Sequence, residues 1–179
     1  MGQEWAASMP FFYFIDHEPD LGAKITDGRG REFPGFPEFV DEAARKRIPD
    51  PKNRETFVES KLRWAESQEP AQAANRNLYV ECLHLRKEFS ALRPVERSVW
   101  SAKEISWGAG AVRYEQHGSE ILILFDLTGH HGGNFDIDEH WRERLSTGDS
   151  RFGGGGEVVV DLASSRVDFH APGLIVLTR

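Results

Sequence analysis

Near residue 93 the spacing of apolar residues changes from steps of three and four to short runs broken by glycine, and this change governs what the chain can fold into. Ahead of it, Ala71, Ala74, Leu78, Cys82, Leu85, Phe89 and Leu92 share one face of a helix. Pro70 suits the first turn, where a missing N–H costs nothing, and Pro94 stops continuation, so a helix is predicted at about 70–91. A second helix is predicted at 19–33, opening on Pro19-Asp20, although Gly22, Gly28 and Gly30 weaken it. Pro49 and Pro51 force an extended or turning path between the two, and Thr56–Trp64 reads as a short helix.

Beyond residue 99 the segments are short, apolar, rich in β-branched residues and separated by turns, the pattern of an antiparallel β-sandwich. The strands are expected at Glu104–Trp107, Ala111–His117, Glu120–Leu127, Asn134–Ile137, Trp141–Ser146, Glu157–Leu162, Arg166–Phe169 and Gly173–Thr178. Ile121–Phe125 is apolar without alternation, which predicts a strand covered on both faces. The chain is therefore read as α+β, with a helical part at 1–93 and a sandwich at 94–179.

Length and charge remove several classes. A chain of 179 residues is too short for a complete (β/α)8 barrel of about 250. No run approaches the roughly 20 apolar residues of a membrane span, and the N-terminus lacks the order of a signal peptide, so no membrane partner and a cytoplasmic location are expected. A single cysteine, Cys82, agrees with a reducing compartment. A formal charge of −7 argues against a nucleic-acid partner.

Asp16-His17-Glu18 is the densest titratable cluster and follows the apolar run Phe11-Phe12-Tyr13-Phe14-Ile15. It has two readings: a solvated cap on the following helix, or a substrate-side group at the end of a strand, where barrel enzymes place their chemistry. Asp136, Asp138, Glu139 and His140 lack the glycine and terminal glutamate of a calcium loop. His130-His131-Gly132-Gly133 lacks the spaced partners of a zinc site and reads as a turn between strands. Gly153 to Gly156 lacks the Lys-Ser/Thr and helix of a phosphate loop and reads as a flexible hairpin loop. No metal or cofactor is expected. Cys82, on the apolar helix face, reads as a buried, inert thiol. Trp100, Trp107 and Trp141 fall in the sandwich, either as core or as platforms that stack on sugar rings.

The segments Met1-Gly2-Gln3-Glu4-Trp5 and Pro10 through Glu18, then Gly28 through Phe33, Pro49-Asp50-Pro51, Thr56-Phe57, Ser60-Lys61-Leu62 and Leu83-His84-Leu85-Arg86, resemble the end of the barrel in malto-oligosyltrehalose trehalohydrolases of glycoside hydrolase family 13. Trp141 through Thr147 and Arg151-Phe152-Gly153-Gly154 resemble the C-terminal sandwich of that family. Gly30, and the order Pro19-Asp20, depart from its pattern. The resemblance implies the helical edge of a (β/α)8 barrel followed by an antiparallel β-sandwich. It further implies a parent enzyme that cleaves the α-1,4 bond next to a terminal trehalose unit. No residue matches the family's nucleophile, acid/base or stabilising carboxylate motifs, and retaining hydrolysis needs two carboxylates about 5–5.5 Å apart. The chain is thus expected to be a C-terminal portion, inactive by itself, with no catalytic residue. Glu4, Asp16, His17, Arg29 and Arg31 are its expected substrate-side residues. The Phe11–Ile15 region is expected to pack on a missing barrel segment or on a second copy of the chain, with maltodextrin a candidate ligand. A stand-alone glucan-binding module and one half of a split glycosidase remain as alternatives.

Overall fold

The structure, a computed structural model, describes residues 1–32, 43, 48–93, 99–116, 118–135 and 137–179, with the side chains of residues 30–32 and 134 outside that description. The chain divides into two compact units, Met1–Gln68 and Glu69–Arg179. The long helix thus belongs with the strands, so the unit boundary precedes the change of sequence pattern at residue 93. The reason is packing: Leu85 of that helix is buried among sheet residues.

The first unit holds a 3-10 turn at Gln3–Trp5, helix α1 at Pro19–Glu32, helix α2 at Arg54–Glu59 and a second 3-10 turn at Trp64–Gln68. Trp5 is buried, with its ring 5.2 Å from that of Trp64. The aromatic run from Phe11 to Ile15 forms no strand. It is anchored instead by single bonds: the Phe12 amide donates to Ser60 Oγ at 3.1 Å and the Ile15 amide to the Pro51 carbonyl at 2.9 Å. Phe14 stands edge-on to Phe57 at 5.0 Å. Where a strand end was expected before Asp16, the chain has no regular secondary structure.

The second unit begins with α3 at Pro70–Glu88 and continues through eight strands: β1 Trp100–Ser106, β2 Ala109–Gln116, β3 Ser119–Asp126, β4 Gly132–Asn134, β5 Arg142–Ser146, β6 Val158–Asp161, β7 Arg166–Phe169 and β8 Gly173–Thr178. They form an antiparallel five-stranded sheet, β1-β2-β3-β8-β5, and a three-stranded sheet, β4-β7-β6. Alternation along β3 and β8 sends side chains two ways. Leu122, Leu124, Ile175 and Leu177 join Val167 and Phe169 of the second sheet, with Ile137 and Trp141, in one core. Ile121, Val176 and Leu145 meet Leu85, Ala91, Leu78 and Phe89 in the other. β3 is covered on both faces, as its unalternating sequence implies, by a helix on one side and a sheet on the other.

Three local expectations are corrected. Cys82 is exposed: the helix meets the sheet along Leu78, Leu85 and Phe89, and position 82, about 60° round the helix from Leu85, lies at the rim of that stripe, outside the buried cluster. Gly132 and Gly133 belong to strand β4, paired with Asp168 and Val167, and are not a turn. Gly153 to Gly156 is a knit loop: the Gly154 amide donates to the Asp149 carbonyl at 3.1 Å and the Gly156 amide to the Gly148 carbonyl at 2.9 Å.

Candidate functional site

An open cleft of about 490 Å³ in the first unit is lined by Ile15, Asp16, His17, Pro19, Asp50, Lys52 and Asn53. Its size falls in the range of small-ligand sites. Two of the five expected residues, Asp16 and His17, thus share a cavity. Glu4, in the first 3-10 turn, is not among its lining residues. Arg29 lies over the Tyr13 ring at 4.3 Å, a cation–π contact that ties α1 to the aromatic run instead of lining the cleft. The Arg31 side chain is outside the described residues.

Three lining residues, Asp50, Lys52 and Asn53, were not among the site residues expected from sequence. Their signal was the proline pair around Asp50, which bends the chain back toward residue 15. Asp50 is fixed from several directions. Its Oδ1 accepts from Thr26 Oγ1 and from the Lys52 amide, both at 3.1 Å, and its carbonyl accepts from Thr56 Oγ1 at 2.7 Å. Asn53 caps α2, its Oδ1 accepting from the Glu55 amide at 3.0 Å. The Lys52 stem crosses Gly22 of α1, where a Cβ would come within 2.8 Å of Lys52 Cδ. A glycine that weakens a helix in isolation is here the seat of a side chain.

The second unit contains a fully buried carboxylate, Asp126, at the end of β3. Its Oδ1 accepts from the Thr128 amide and hydroxyl, each at 2.7 Å, and from the Gly129 amide at 3.1 Å. Its Oδ2 accepts from the His130 and His131 amides and faces His131 Nδ1. Desolvation pushes the Asp126 carboxyl up, but the bonds donated by Thr128, His131 and Gly129 outweigh it and hold the group far below the carboxylate range. This is a loop clamp. Among the described residues, no group of three or more His, Cys, Asp or Glu side chains is placed to hold a metal ion, and no helix is long and apolar enough to cross a membrane. Of the sandwich tryptophans, Trp141 is buried and Trp100 partly so, while Trp107 is 82% exposed.

No protein-family model matches the chain. Its sequence is 44% identical over 96 residues to a malto-oligosyltrehalose trehalohydrolase of Deinococcus radiodurans, covering 54% of this chain and 15% of that protein. It is 33% identical over 131 residues to the protein of the same name from Rhizobium sp., covering 70% of this chain and 20% of that protein. The chain thus spans a fifth or less of the length of these relatives. In fold it resembles a solved structure of a candidate α-amylase from Salmonella typhimurium, with a TM-score of 0.70 at 23% identity, over 100% of this chain and 27% of that one. By sequence, the chain is a relative of one segment of the malto-oligosyltrehalose trehalohydrolases, the family its N-terminal motifs resemble.

Proposed function

We propose that the chain is the C-terminal, non-catalytic part of a trehalohydrolase-like α-glucan hydrolase. In this reading Met1–Gln68 is the helical edge of a barrel and Glu69–Arg179 the β-rich domain that follows. The observation that carries it is identity of 33–44% to trehalohydrolases. The whole enzyme would hydrolyse the α-1,4 bond beside a terminal trehalose, using a carboxylate pair outside this chain. Asp16 and His17 would stand on the substrate side, where their cleft opens. Phe11 and Tyr13, each about half exposed, would pack on the remainder of the barrel.

A chimera tests the proposal: the matching segment of the Deinococcus radiodurans protein is replaced by this chain, and trehalose release from a maltooligosyl trehalose is measured. Release close to that of the unmodified enzyme is the expected result. A chimera that melts cooperatively yet releases nothing sinks the proposal, and release by this chain alone removes its non-catalytic part.

The exposure of Trp107, at the β1–β2 turn beside the 70%-exposed Leu127, favours a second reading: a glucan-binding module that stacks a sugar ring on that indole. In that case maltodextrin quenches tryptophan fluorescence of this chain, and Trp107→Ala abolishes the quench.

A further inference from the structure

We infer that the turn Asp50–Asn53 is a binding site for an uncharged, hydroxyl-rich ligand, an oligosaccharide, with Thr26 and Gly22 as its positioning residues. The inference rests on the glycosidase reading and deepens it, because Asp50, Lys52 and Asn53 are not among the site residues that the resemblance implies. The polar atoms of the turn divide between structural work and the cleft. Asp50 Oδ1 is occupied by Thr26 and the Lys52 amide, whereas Asp50 Oδ2 has no partner among the described residues. Asn53 Oδ1 is occupied by the Glu55 amide, which leaves its amide nitrogen as a donor. Lys52, its stem laid across Gly22, adds a cationic donor to the lining.

The lining residues Asp50, Lys52 and Asn53 thus carry an acceptor, a charged donor and a neutral donor not used within the turn, and Asp16 and His17 line the same cavity. Vicinal hydroxyls donate and accept at once, so they can use such an alternating set. Charge selects against anions: Asp16 and Asp50 oppose the lone lysine among the lining residues, a formal balance of −1 with histidine neutral. A phosphorylated sugar would meet two carboxylates. A polar rim over an open cavity, with Asp50 and Asn53 each held by one side-chain oxygen, matches a ligand with many weak bonds and little charge.

Two substitutions separate binding from folding. Asp50→Asn keeps Oδ1 for Thr26 and the Lys52 amide but turns the free acceptor into a donor. Asn53→Ser keeps an N-cap oxygen for α2 but removes the free donor. The full 179-residue chain, labelled with ¹⁵N, would be titrated with maltotetraose, trehalose and glucose 6-phosphate. The expected result is millimolar binding of the neutral sugars, with shifts at the amides of Asp16, His17, Lys52 and Asn53. Each variant should weaken it at least fivefold at an unchanged melting temperature, and Gly22→Ala should weaken it by moving Lys52. Absence of shifts at 20 mM neutral sugar, shifts confined to the surroundings of Trp107, or tighter binding of glucose 6-phosphate would each overturn the inference. If the chimera above still releases trehalose while these shifts are absent, the site falls and the glycosidase reading stands.

Discussion

His131 meets the Asp126 carboxylate twice, through its backbone amide at 2.7 Å and its ring Nδ1 at 3.0 Å, both on Oδ2. An ionised carboxylate can only accept, so the ring nitrogen facing it carries the proton. The pair closes the loop between β3 and β4. Asp126→Ala leaves the amides of Thr128, Gly129, His130 and His131 without their acceptor, at a cost expected to be about 3 kcal/mol. Asp126→Asn keeps one oxygen but sets an NH2 group against donors, and about 2 kcal/mol is expected. Urea unfolding followed by tryptophan fluorescence measures both, and a loss below 0.5 kcal/mol in Asp126→Ala would remove the clamp assignment.

The same carboxylate sets an acid dependence. Its folded pKa lies below the unfolded value of about 3.9, so the unfolded chain binds the proton first. The stabilisation is complete above about pH 5 and falls as pH drops through 4 toward the folded value. The expected outcome is that the stability gap between the native protein and Asp126→Asn narrows steadily from pH 5 to pH 2.5, as read from urea midpoints. A gap that widens on acidification contradicts the sign.

Two leucines on α3 differ by half a turn in what they touch. Leu85 is buried against the sheet and Leu83 is 62% exposed. Leu85→Ala is expected to cost about 3 kcal/mol, and Leu83→Ala less than about 0.5 kcal/mol, in chemical denaturation. Equal costs would mean that the helix face is misassigned.

Cys82 should react with a thiol reagent in the folded state at one equivalent per chain without denaturant. Partial desolvation, with Glu81 beside it, raises its thiol above the ordinary range. The rate at pH 7.5 should therefore be below that of a free cysteine and climb through pH 9. Protection until urea unfolds the chain would restore the buried reading.

The glycine loop distinguishes two kinds of glycine. A Cβ at Gly154 would come within 2.4 Å of the Gly148 backbone, whereas one at Gly156 meets nothing within 4 Å but sits at φ +89°. Gly154→Ala is expected to cost about 2–3 kcal/mol by overpacking, and Gly156→Ala about 1 kcal/mol by backbone strain alone. Thermal melts of the two variants order these costs.

Strands that bury one or both faces were legible in period-two and unbroken apolar runs: Gly173–Thr178 and Arg166–Phe169 are found where the pattern sets them, whereas β1 begins at Trp100, ahead of the expected Glu104, and β4 is Gly132–Asn134, where Asn134–Ile137 was expected. Cys82 was misread because the three-and-four spacing from Ala71 to Leu92 marks a face of α3 and not its width: Leu85 at its centre is buried, whereas Cys82 at its rim is exposed. Asp16 and His17 stood out as a local cluster. Asp50, Lys52 and Asn53 did not, since what joins them to residue 16 is the bond from Ile15 to Pro51, a contact with no local periodicity. Asp126 lay inside the predicted strand Glu120–Leu127, and only the Thr128-Gly129 that follows hints at a carboxylate turned back on its own loop.

β8, last in the order of strands, is an interior strand of the five-stranded sheet, between β3 and β5. During synthesis the β1–β3 meander therefore emerges with one apolar edge open, and it stays open until everything from β4 to β7 has left the ribosome. A ribosome stalled before residue 173 holds a sheet without the strand that joins β3 to β5, and the unpaired edge of β3 is then the place where a chaperone or a neighbouring nascent chain would bind.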